Sequence, residues 1–292
     1  MPAEPNGRLV PAHDTHLYVV ERGPGDALPV LVLHGGPGLD HTVFGSWLDP
    51  LTDRYRLVLI DGRNQGRSDR DTDPATWTLS QHASDVSAVA AAIGAERYAV
   101  LGHSFGAFVA LQHAADAPGA AVATIASSGV PSDSFLEAVE KNFASFEPEE
   151  LREQVTSSWE REASVQTEEE CRQLLADQMP FHFADPRDPR IAELEAETVH
   201  MRYSPEVLRG TSLEGGGLSI DVEGQLSHVP QPVLALAGRH DRTCVPEASA
   251  RIAELAPKGE LHVIESAGHM TYVEAPEEFV RVVRDFLDRA TS

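Results

Sequence analysis

Short apolar runs separated by amphipathic, alanine-rich stretches recur through the first part of the chain. The runs predict buried strands, and apolar positions spaced three and four residues apart predict helices between them. We predict strands at residues 16–20, 30–33, 56–60, 98–101 and 121–126, with helices at residues 79–93 and 104–117. Strands that alternate with helices indicate an α/β fold, with a mostly parallel sheet covered by helices on both faces.

The alternation stops at Pro131 and resumes near residue 229. The intervening residues are acidic and helical in composition, and a proline-rich DPRDPR run and a cluster of three glycines interrupt them. We predict no strand there. Beyond this segment, strands are predicted at residues 233–237 and 260–264 and helices at residues 247–255 and 275–287. We therefore interpret residues 1–130 and 229–292 as a core domain, and residues 131–228 as an inserted helical cap.

Composition is that of a globular protein with a sizeable core. The chain has 292 residues, of which 41% are hydrophobic and 24% charged. The first ten residues have neither a basic region nor a long apolar run, and no stretch approaches about 18 uninterrupted apolar residues. We expect a cytoplasmic protein without a membrane span. Cys171 and Cys244 lie far apart in sequence, which favours two free thiols over a disulfide or a metal site.

The net charge of the chain indicates which kinds of binding partner to expect. The formal net charge is −23, which argues against nucleic acid and anionic membranes. Residues 131–230 hold 22 acids and 8 bases, so the acidity is concentrated in the predicted cap. Two interpretations stay open. The acids form a solvated helical surface, or they form an electronegative lid that favours a cationic substrate.

The motif that carries the most chemical information is GHSFG at residues 102–106. It fits G-x-S-x-G, and it lies between a predicted strand and a predicted helix, which is the context of a nucleophile elbow. Glycines at both flanking positions allow a sharp turn, and the helix that follows directs its N-terminus at developing negative charge. We therefore predict Ser104 as a nucleophile.

A serine hydroxyl needs a base to take its proton, and an acid to orient that base. Two such residues follow in the order serine, acid, histidine: Asp241 after the strand VLALA and His269 after the strand LHVIE. Loops after parallel strands emerge at one edge of a sheet, so we expect all three side chains there. Asp221 and Glu265 are rivals for the acid. We interpret Asp221 as a loop residue and keep Glu265 as a fallback.

The motif HGGPG at residues 34–38 follows the strand VLVL. Its glycines allow backbone N–H groups to approach a ligand closely. We predict an oxyanion hole formed by the N–H groups of Gly36 and Phe105, with His34 as a hydrogen-bonding brace. The segment DGRNQGRS at residues 61–68 is interpreted as a structural turn held by an arginine network.

Together HGGPG, DGRNQGRS, GHSFG, GRHD and SAGHM resemble the α/β-hydrolase superfamily across nearly the whole chain, and within it the proline iminopeptidase family. The resemblance implies an α/β-hydrolase fold with a helical cap, no metal or other cofactor, and release of an N-terminal amino acid from a peptide or small aminoacylated molecule. Some relatives of that family are amidases, lactonases or esterases.

The sequence departs from the iminopeptidase pattern in two places. Iminopeptidases usually have a bulky aromatic or tryptophan-containing elbow, whereas the elbow here is GHSFG, which is common to many esterases. Iminopeptidases also hold the substrate amine with glutamates, one of them often directly after the catalytic aspartate, where this chain has Arg242. An arginine there would repel an ammonium group. Glu206 and Glu214 are the candidate cap glutamates.

Three functions therefore stay open. The first is an amide-cleaving serine hydrolase that acts on a small molecule or short peptide. The second is a carboxylesterase or lactonase. The third is a non-catalytic binding protein on a hydrolase fold, although the usual sign of such a protein is a missing member of the Ser104, Asp241 and His269 set.

Overall fold

A twisted eight-stranded sheet organises the chain, and the computed structural model describes it over residues 7–211 and 218–291. The strands are β1 (Gly7–Ala12), β2 (Thr15–Arg22), β3 (Pro29–Leu33), β4 (Arg56–Ile60), β5 (Ala99–His103), β6 (Ala123–Ser127), β7 (Val233–Gly238) and β8 (Gly259–Ile264). Their spatial order is β1-β2-β4-β3-β5-β6-β7-β8. The pairs β1–β2 and β2–β4 are antiparallel and the remaining pairs are parallel, which confirms the predicted mostly parallel sheet.

Strand β1 was not predicted from the sequence pattern. It pairs with β2 at the edge of the sheet, and only Val10 and Ala12 of its six residues are buried. Leu9 is half exposed, and Pro11 is a residue that strand interiors disfavour. A strand with so few buried positions lacks the apolar run by which the other seven are recognised.

Helices cover both faces of the sheet, as predicted. The core helices are α1 (Leu79–Ala92), α2 (Phe105–Asp116), α8 (Glu223–Leu226), α9 (Pro246–Leu255), α10 (Thr271–Glu274) and α11 (Pro276–Thr291). Five further helices lie between β6 and α8, namely α3 (Ala138–Ala144), α4 (Glu149–Arg161), α5 (Glu168–His182), α6 (Arg190–Glu197) and α7 (Pro205–Thr211). Among the described residues, no helix is long and apolar enough to cross a membrane.

The inserted helices α3 to α7 form a layer over the carboxyl edge of the sheet, and we refer to them as the cap. In the described part of residues 131–228 there is no strand, and only an isolated bridge joins Ser132 to Asp221. Cap side chains such as Met179 and Phe183 belong to the same apolar cluster as sheet residues. Helix α8 packs on α2 and α9, so the last part of the predicted cap segment lies against the core.

The carboxyl ends of the parallel strands bring four loops to one edge. Strand β3 leads into HGGPG, β5 into Ser104, β7 into the loop with Asp241, and β8 into the loop with His269. This edge is where open α/β sheets bind ligands, and the cap closes over it.

Candidate active site

Ser104 lies in a strained turn between β5 and α2. Its backbone angles are φ 55° and ψ −121°, in a region that residues with a side chain rarely adopt. The two flanking glycines make the turn possible. A Cβ at residue 102 would lie 2.0 Å from the Gly106 carbonyl oxygen, and one at residue 106 would lie 2.1 Å from the Leu33 carbonyl oxygen. Strand, turn and helix are therefore in direct backbone contact, and Ser104 projects from the sheet edge.

This packing makes a stability prediction. Replacing Gly102 by alanine should lower the free energy of unfolding by about 3 kcal/mol or more, because backbone must move to admit the methyl group. Denaturant unfolding measures the loss. The matched control is Gly224→Ala on helix α8, where an added Cβ meets nothing within 4 Å and should change stability little. Equal unfolding midpoints for the two variants would contradict the tight turn.

The predicted oxyanion donors border the same space as Ser104. Gly35 approaches so closely that a Cβ there would lie 3.4 Å from the Ser104 Cβ, and Gly36 has φ +123°. Phe105 begins helix α2, whose N-terminus carries partial positive charge. Within the described ranges, no hydrogen-bond acceptor takes the N–H of Gly36 or Phe105. These two donors can therefore serve a ligand, and their role as the oxyanion hole stays a prediction.

His34 braces this loop, as the sequence predicted. Its Nδ1–H donates to the Gly35 carbonyl oxygen at 2.7 Å, and its Nε2 accepts the Gly62 N–H at 3.1 Å. Gln65 adds a second link, since its Oε1 accepts the Gly38 N–H at 2.6 Å. Burial lowers the pKa of His34, which keeps the imidazole neutral and its Nε2 an acceptor.

The DGRNQGRS segment forms the predicted arginine network. Arg63 is fully buried, and its guanidinium pairs with Asp85 through two hydrogen bonds of 2.8 and 2.9 Å. It also donates to Asp14, and Arg67 pairs with Asp40 at 2.6 Å. The network is structural, since it fixes the turn that carries Gly62 and Gln65.

A buried cluster has the spacing of a metal site. It consists of Asp40, His41 and Asp61, whose potential ligand atoms lie within 4.8 Å of one another. Its atoms already have protein partners. Asp61 accepts from the His41 N–H and ring, Asp40 accepts from Arg67, and its other oxygen accepts from Thr42. The cluster is accounted for as a hydrogen-bonded support of the loop after β3.

The predicted base and acid are joined by a hydrogen bond. Nδ1 of His269 lies 2.8 Å from Oδ2 of Asp241, and both side chains are buried. A carboxylate only accepts, so Nδ1 carries the proton and Nε2 of the neutral ring is the basic nitrogen. The other carboxylate oxygen accepts the N–H groups of Thr243 and Cys244 at 2.9 and 2.8 Å, which fixes the carboxylate plane.

The two rival acids lie elsewhere. Asp221 forms the isolated bridge with Ser132, and Glu265 is exposed and pairs with Arg239 at 2.7 Å. Asp241 is therefore the candidate among the three that contacts His269.

Two further histidines flank His269, and no role was predicted for either. The rings of His103 and His182 each have their centroids 5.0 Å from that of His269. Burial lowers the pKa of His103 well below its usual range and lowers that of His182 to about 3. Both rings are therefore neutral near pH 7. His182 comes from the end of the cap helix α5, so the cap reaches the candidate base directly.

A cavity of about 400 Å³ lies between cap and core, and Ser104, Phe105, Gly36 and His269 line it. Its wall is mostly apolar. The charged residues that border it in the described part of the chain are four acids and one base, namely Asp133, Glu162, Glu169, Glu195 and Arg172. Arg172 pairs with Glu169 at 2.5 Å. Because four acids and one base border the cavity, the net charge of these five side chains is negative. The predicted free thiols are confirmed, and both border the cavity.

Glu162 is linked to the candidate base through two residues of α5. Its carboxylate accepts the Gln178 side-chain N–H at 2.7 Å, and the Gln178 carbonyl accepts the His182 Nδ1–H at 3.1 Å. His182 in turn contacts His269. Glu162 was not among the site residues predicted from the sequence. The spacing of four residues between Gln178 and His182, which places them on one face of α5, is the feature of the sequence that could have indicated this link.

The structure corrects the interpretation of Arg242. Its guanidinium does not border the cavity formed by the described residues, so it does not face a substrate amine. It donates instead to the backbone carbonyls of Phe181, Phe183 and Ala184 at 3.2, 2.6 and 3.2 Å. Arg242 therefore joins the cap to the core. The prediction that it would repel a substrate ammonium group was wrong.

Of the two cap glutamates chosen from the sequence, Glu206 lies in the described part of the chain and is engaged away from the cavity. Glu206 pairs with Arg70 at 2.7 Å, accepts from Asn64, and lies outside the cavity wall. Glu214 falls outside the described residues.

Comparison with known proteins agrees with this geometry. The family model of the α/β hydrolase fold matches residues 29–276, and the chain belongs to that family. Proline iminopeptidase from Heyndrickxia coagulans is 28% identical over 270 residues, which are 90% of this chain and 92% of the relative. The crystal structure of a proline iminopeptidase from Mycobacterium smegmatis is 27% identical, with a TM-score of 0.77 and coverage of 97% and 98%.

Relatives with other named activities are equally similar. A putative carbamate hydrolase, RutD, from Caulobacter sp. (strain K31) is 29% identical over 92% of this chain and 94% of its own length. Pimeloyl-[acyl-carrier protein] methyl ester esterase from Methylococcus capsulatus is also 29% identical, over 93% of this chain and 98% of the relative. The resemblance to proline iminopeptidases is thus confirmed, and an esterase and a putative carbamate hydrolase are similar to the chain as well.

Proposed function

We propose that this protein is a serine hydrolase that cleaves an amide bond and releases an N-terminal amino acid from a peptide or a small aminoacylated molecule. The observation that carries the proposal is the sheet-edge arrangement. Ser104 and His269 border one cavity, and His269 is hydrogen-bonded to Asp241. Serine, a histidine with a free basic nitrogen, and a buried carboxylate are the parts that acyl transfer to water requires.

The proposed chemistry proceeds in two halves. His269 Nε2 takes the Ser104 hydroxyl proton while Oγ bonds to the substrate carbonyl carbon, and the N–H groups of Gly36 and Phe105 stabilise the oxyanion. The C–N bond then breaks as the imidazolium returns the proton to the leaving nitrogen. Water, deprotonated by His269, then attacks the carbonyl carbon of the acyl-enzyme. The bond from this carbon to Ser104 Oγ breaks as His269 returns the proton to Oγ, and the amino acid is released. Asp241 stabilises the imidazolium in each half.

The cavity wall supports a substrate with a free amine. Among the described residues that border it, four acids outnumber one base, and Glu162 lies on the side of the cavity where His182 contacts His269. A primary or secondary ammonium group beside a carbonyl carbon bound at Ser104 would meet this carboxylate. The Arg242 guanidinium donates to cap carbonyls and is not part of the described cavity wall, so it does not face such a substrate.

A comparison of two matched substrates tests recognition of the free amine. Aminoacyl nitroanilides with a free amine should be cleaved with a higher kcat/KM than the same compounds N-acetylated. Glu162→Gln should lower kcat/KM for the free-amine compounds by about 10- to 100-fold, the loss of one charge-assisted hydrogen bond. It should leave the acetylated compounds almost unchanged. The matched control is Glu160→Gln, an exposed acid of the same segment. Equal rates for free and acetylated amines would refute amine recognition.

A carboxylesterase or lactonase is the second candidate. The mostly apolar wall and the similarity to a methyl ester esterase favour it. An esterase would hydrolyse simple nitrophenyl esters faster than either nitroanilide, and it would be indifferent to Glu162→Gln.

A further inference from the structure

Cap residues 181–184, which end α5 and follow it, lie directly against the loop of the candidate base. The His269 N–H donates to the His182 carbonyl oxygen at 2.7 Å. Gly268 is packed so tightly on the segment that a Cβ there would lie 2.7 Å from the Ala184 nitrogen and 2.7 Å from the His182 oxygen. The glycine of the SAGHM motif is therefore explained by cap backbone that crosses it.

A buried carboxylate bridges the two elements. Glu274 lies on α10, five residues beyond His269, and is 5% exposed. Its Oε1 accepts the Gly268 N–H at 2.8 Å, and its Oε2 accepts the Ala184 N–H at 2.7 Å. The Glu274 side chain therefore fixes the position of Gly268, which precedes the candidate base, relative to Ala184 of the cap.

The same cap segment is held from the side of the acid. Arg242, which follows Asp241, donates to three carbonyls of residues 181–184, and its guanidinium lies 5.3 Å from the ring centroid of Phe146 in the cap. The loops that carry Asp241 and His269 are therefore both fastened to one piece of cap backbone.

We propose that Glu274 is a positioning residue that keeps His269 aligned for catalysis by bridging its loop to cap residues 181–184. The proposal rests on the proposed function, in which His269 is the base. Glu274 is absent from the cavity wall formed by the described residues, so it acts through Gly268 and not on the substrate. Misplacing a reacting group by about 1 Å costs about 100-fold in rate, so a small loop shift is sufficient for a large effect.

Glu274→Gln tests the bridge with little change of volume. An amide has one accepting oxygen, so its NH2 group must face one of the two backbone N–H donors. We expect the rate of Ser104 labelling by a fluorophosphonate probe to fall by about 10- to 100-fold. The matched control is Glu277→Gln, an exposed acid three residues away, which should label within about twofold of the wild-type rate.

Two additional readouts separate positioning from simple loss of stability. Labelling is measured at a temperature well below the thermal midpoint of each variant, where both are folded. The downfield NMR resonance of the His269 Nδ1 proton should shift or broaden in Glu274→Gln and stay unchanged in Glu277→Gln. A folded Glu274→Gln variant with wild-type labelling and an unchanged resonance would overturn the proposal.

Arg242→Lys provides a second variant that perturbs the same segment if Glu274→Gln does not fold. Lysine cannot reproduce the planar fork that reaches three carbonyls. Its labelling rate should fall several-fold, whereas Arg239→Lys, at an exposed ion pair in the same loop, should not change the rate. Equal rates for these two would overturn the proposal. A wild-type protein that is not labelled at Ser104 would instead overturn the proposed function, and this role with it.

Discussion

Replacing Ser104 by alanine should lower turnover by about 10⁴- to 10⁶-fold, with the substrate still bound in the cavity. The hydroxyl is the only atom group of the proposed machinery that the change removes. The turn between β5 and α2, the His269–Asp241 hydrogen bond and the N–H groups of Gly36 and Phe105 all remain. The measurement is steady-state hydrolysis of the best nitroanilide or nitrophenyl ester from the substrate comparison.

The matched control for that experiment is Ser227→Ala, an exposed serine after α8 that bonds only to local backbone and His228. It should retain wild-type turnover. If Ser104→Ala also keeps near-normal activity, Ser104 is not the nucleophile, and another active centre has to replace the one proposed.

Replacing Asp241 by asparagine is the second change with a large expected effect, a fall in kcat of about 10⁴-fold. One carboxylate oxygen accepts from His269, and the other accepts from Thr243 and Cys244. An asparagine that keeps its oxygen toward the two backbone N–H groups must turn its NH2 toward His269. The ring then has to present an unprotonated Nδ1, so its Nε2 carries the proton and cannot act as a base.

Asp221→Asn and Glu265→Gln are the controls for this prediction, because each removes a carboxylate that the sequence offered as a rival. Both should keep turnover within about threefold of the wild-type value, in the range of surface substitutions. A large loss in Glu265→Gln together with a small loss in Asp241→Asn would reverse the assignment of the acid.

The core of the fold and the three candidate catalytic residues could be predicted because their signals are local. An apolar run followed by G-x-S-x-G places Ser104 without knowledge of the rest of the chain. Asp241 and His269 follow strands of the same kind. His34 was predicted as a brace for the same reason, since its partners Gly35 and Gly62 lie in adjacent loops.

The cap could not be predicted in the same way, since its important contacts join residues far apart in sequence. Arg242 was expected to face the substrate, but the carbonyls that hold it belong to residues about 60 positions earlier. Glu162 and Glu274 are hydrogen-bonded to Gln178 and Ala184, and no short motif contains both members of either pair. Spacing along the chain indicates which side chains are present, whereas helix packing in the cap decides which way they point.

Through residues 181–184, the cap contacts the loops of the candidate base and acid in addition to covering the cavity. A cap that only covered the cavity would choose the substrate and leave the chemistry to the core. Here the same segment contributes the His182 ring beside His269, accepts the His269 N–H, and is fastened beside Asp241. Substrate selection and alignment of the base therefore share one structural element.

The central claim is that Ser104 is a nucleophile activated by His269 and Asp241. The most direct measurement is peptide mapping after reaction with a fluorophosphonate probe, with the labelling rate followed in the wild type, Ser104→Ala and Asp241→Asn. We expect a single adduct on Ser104, none in Ser104→Ala, and much slower labelling in Asp241→Asn. An unlabelled wild-type protein, or an adduct on a different residue, would contradict it.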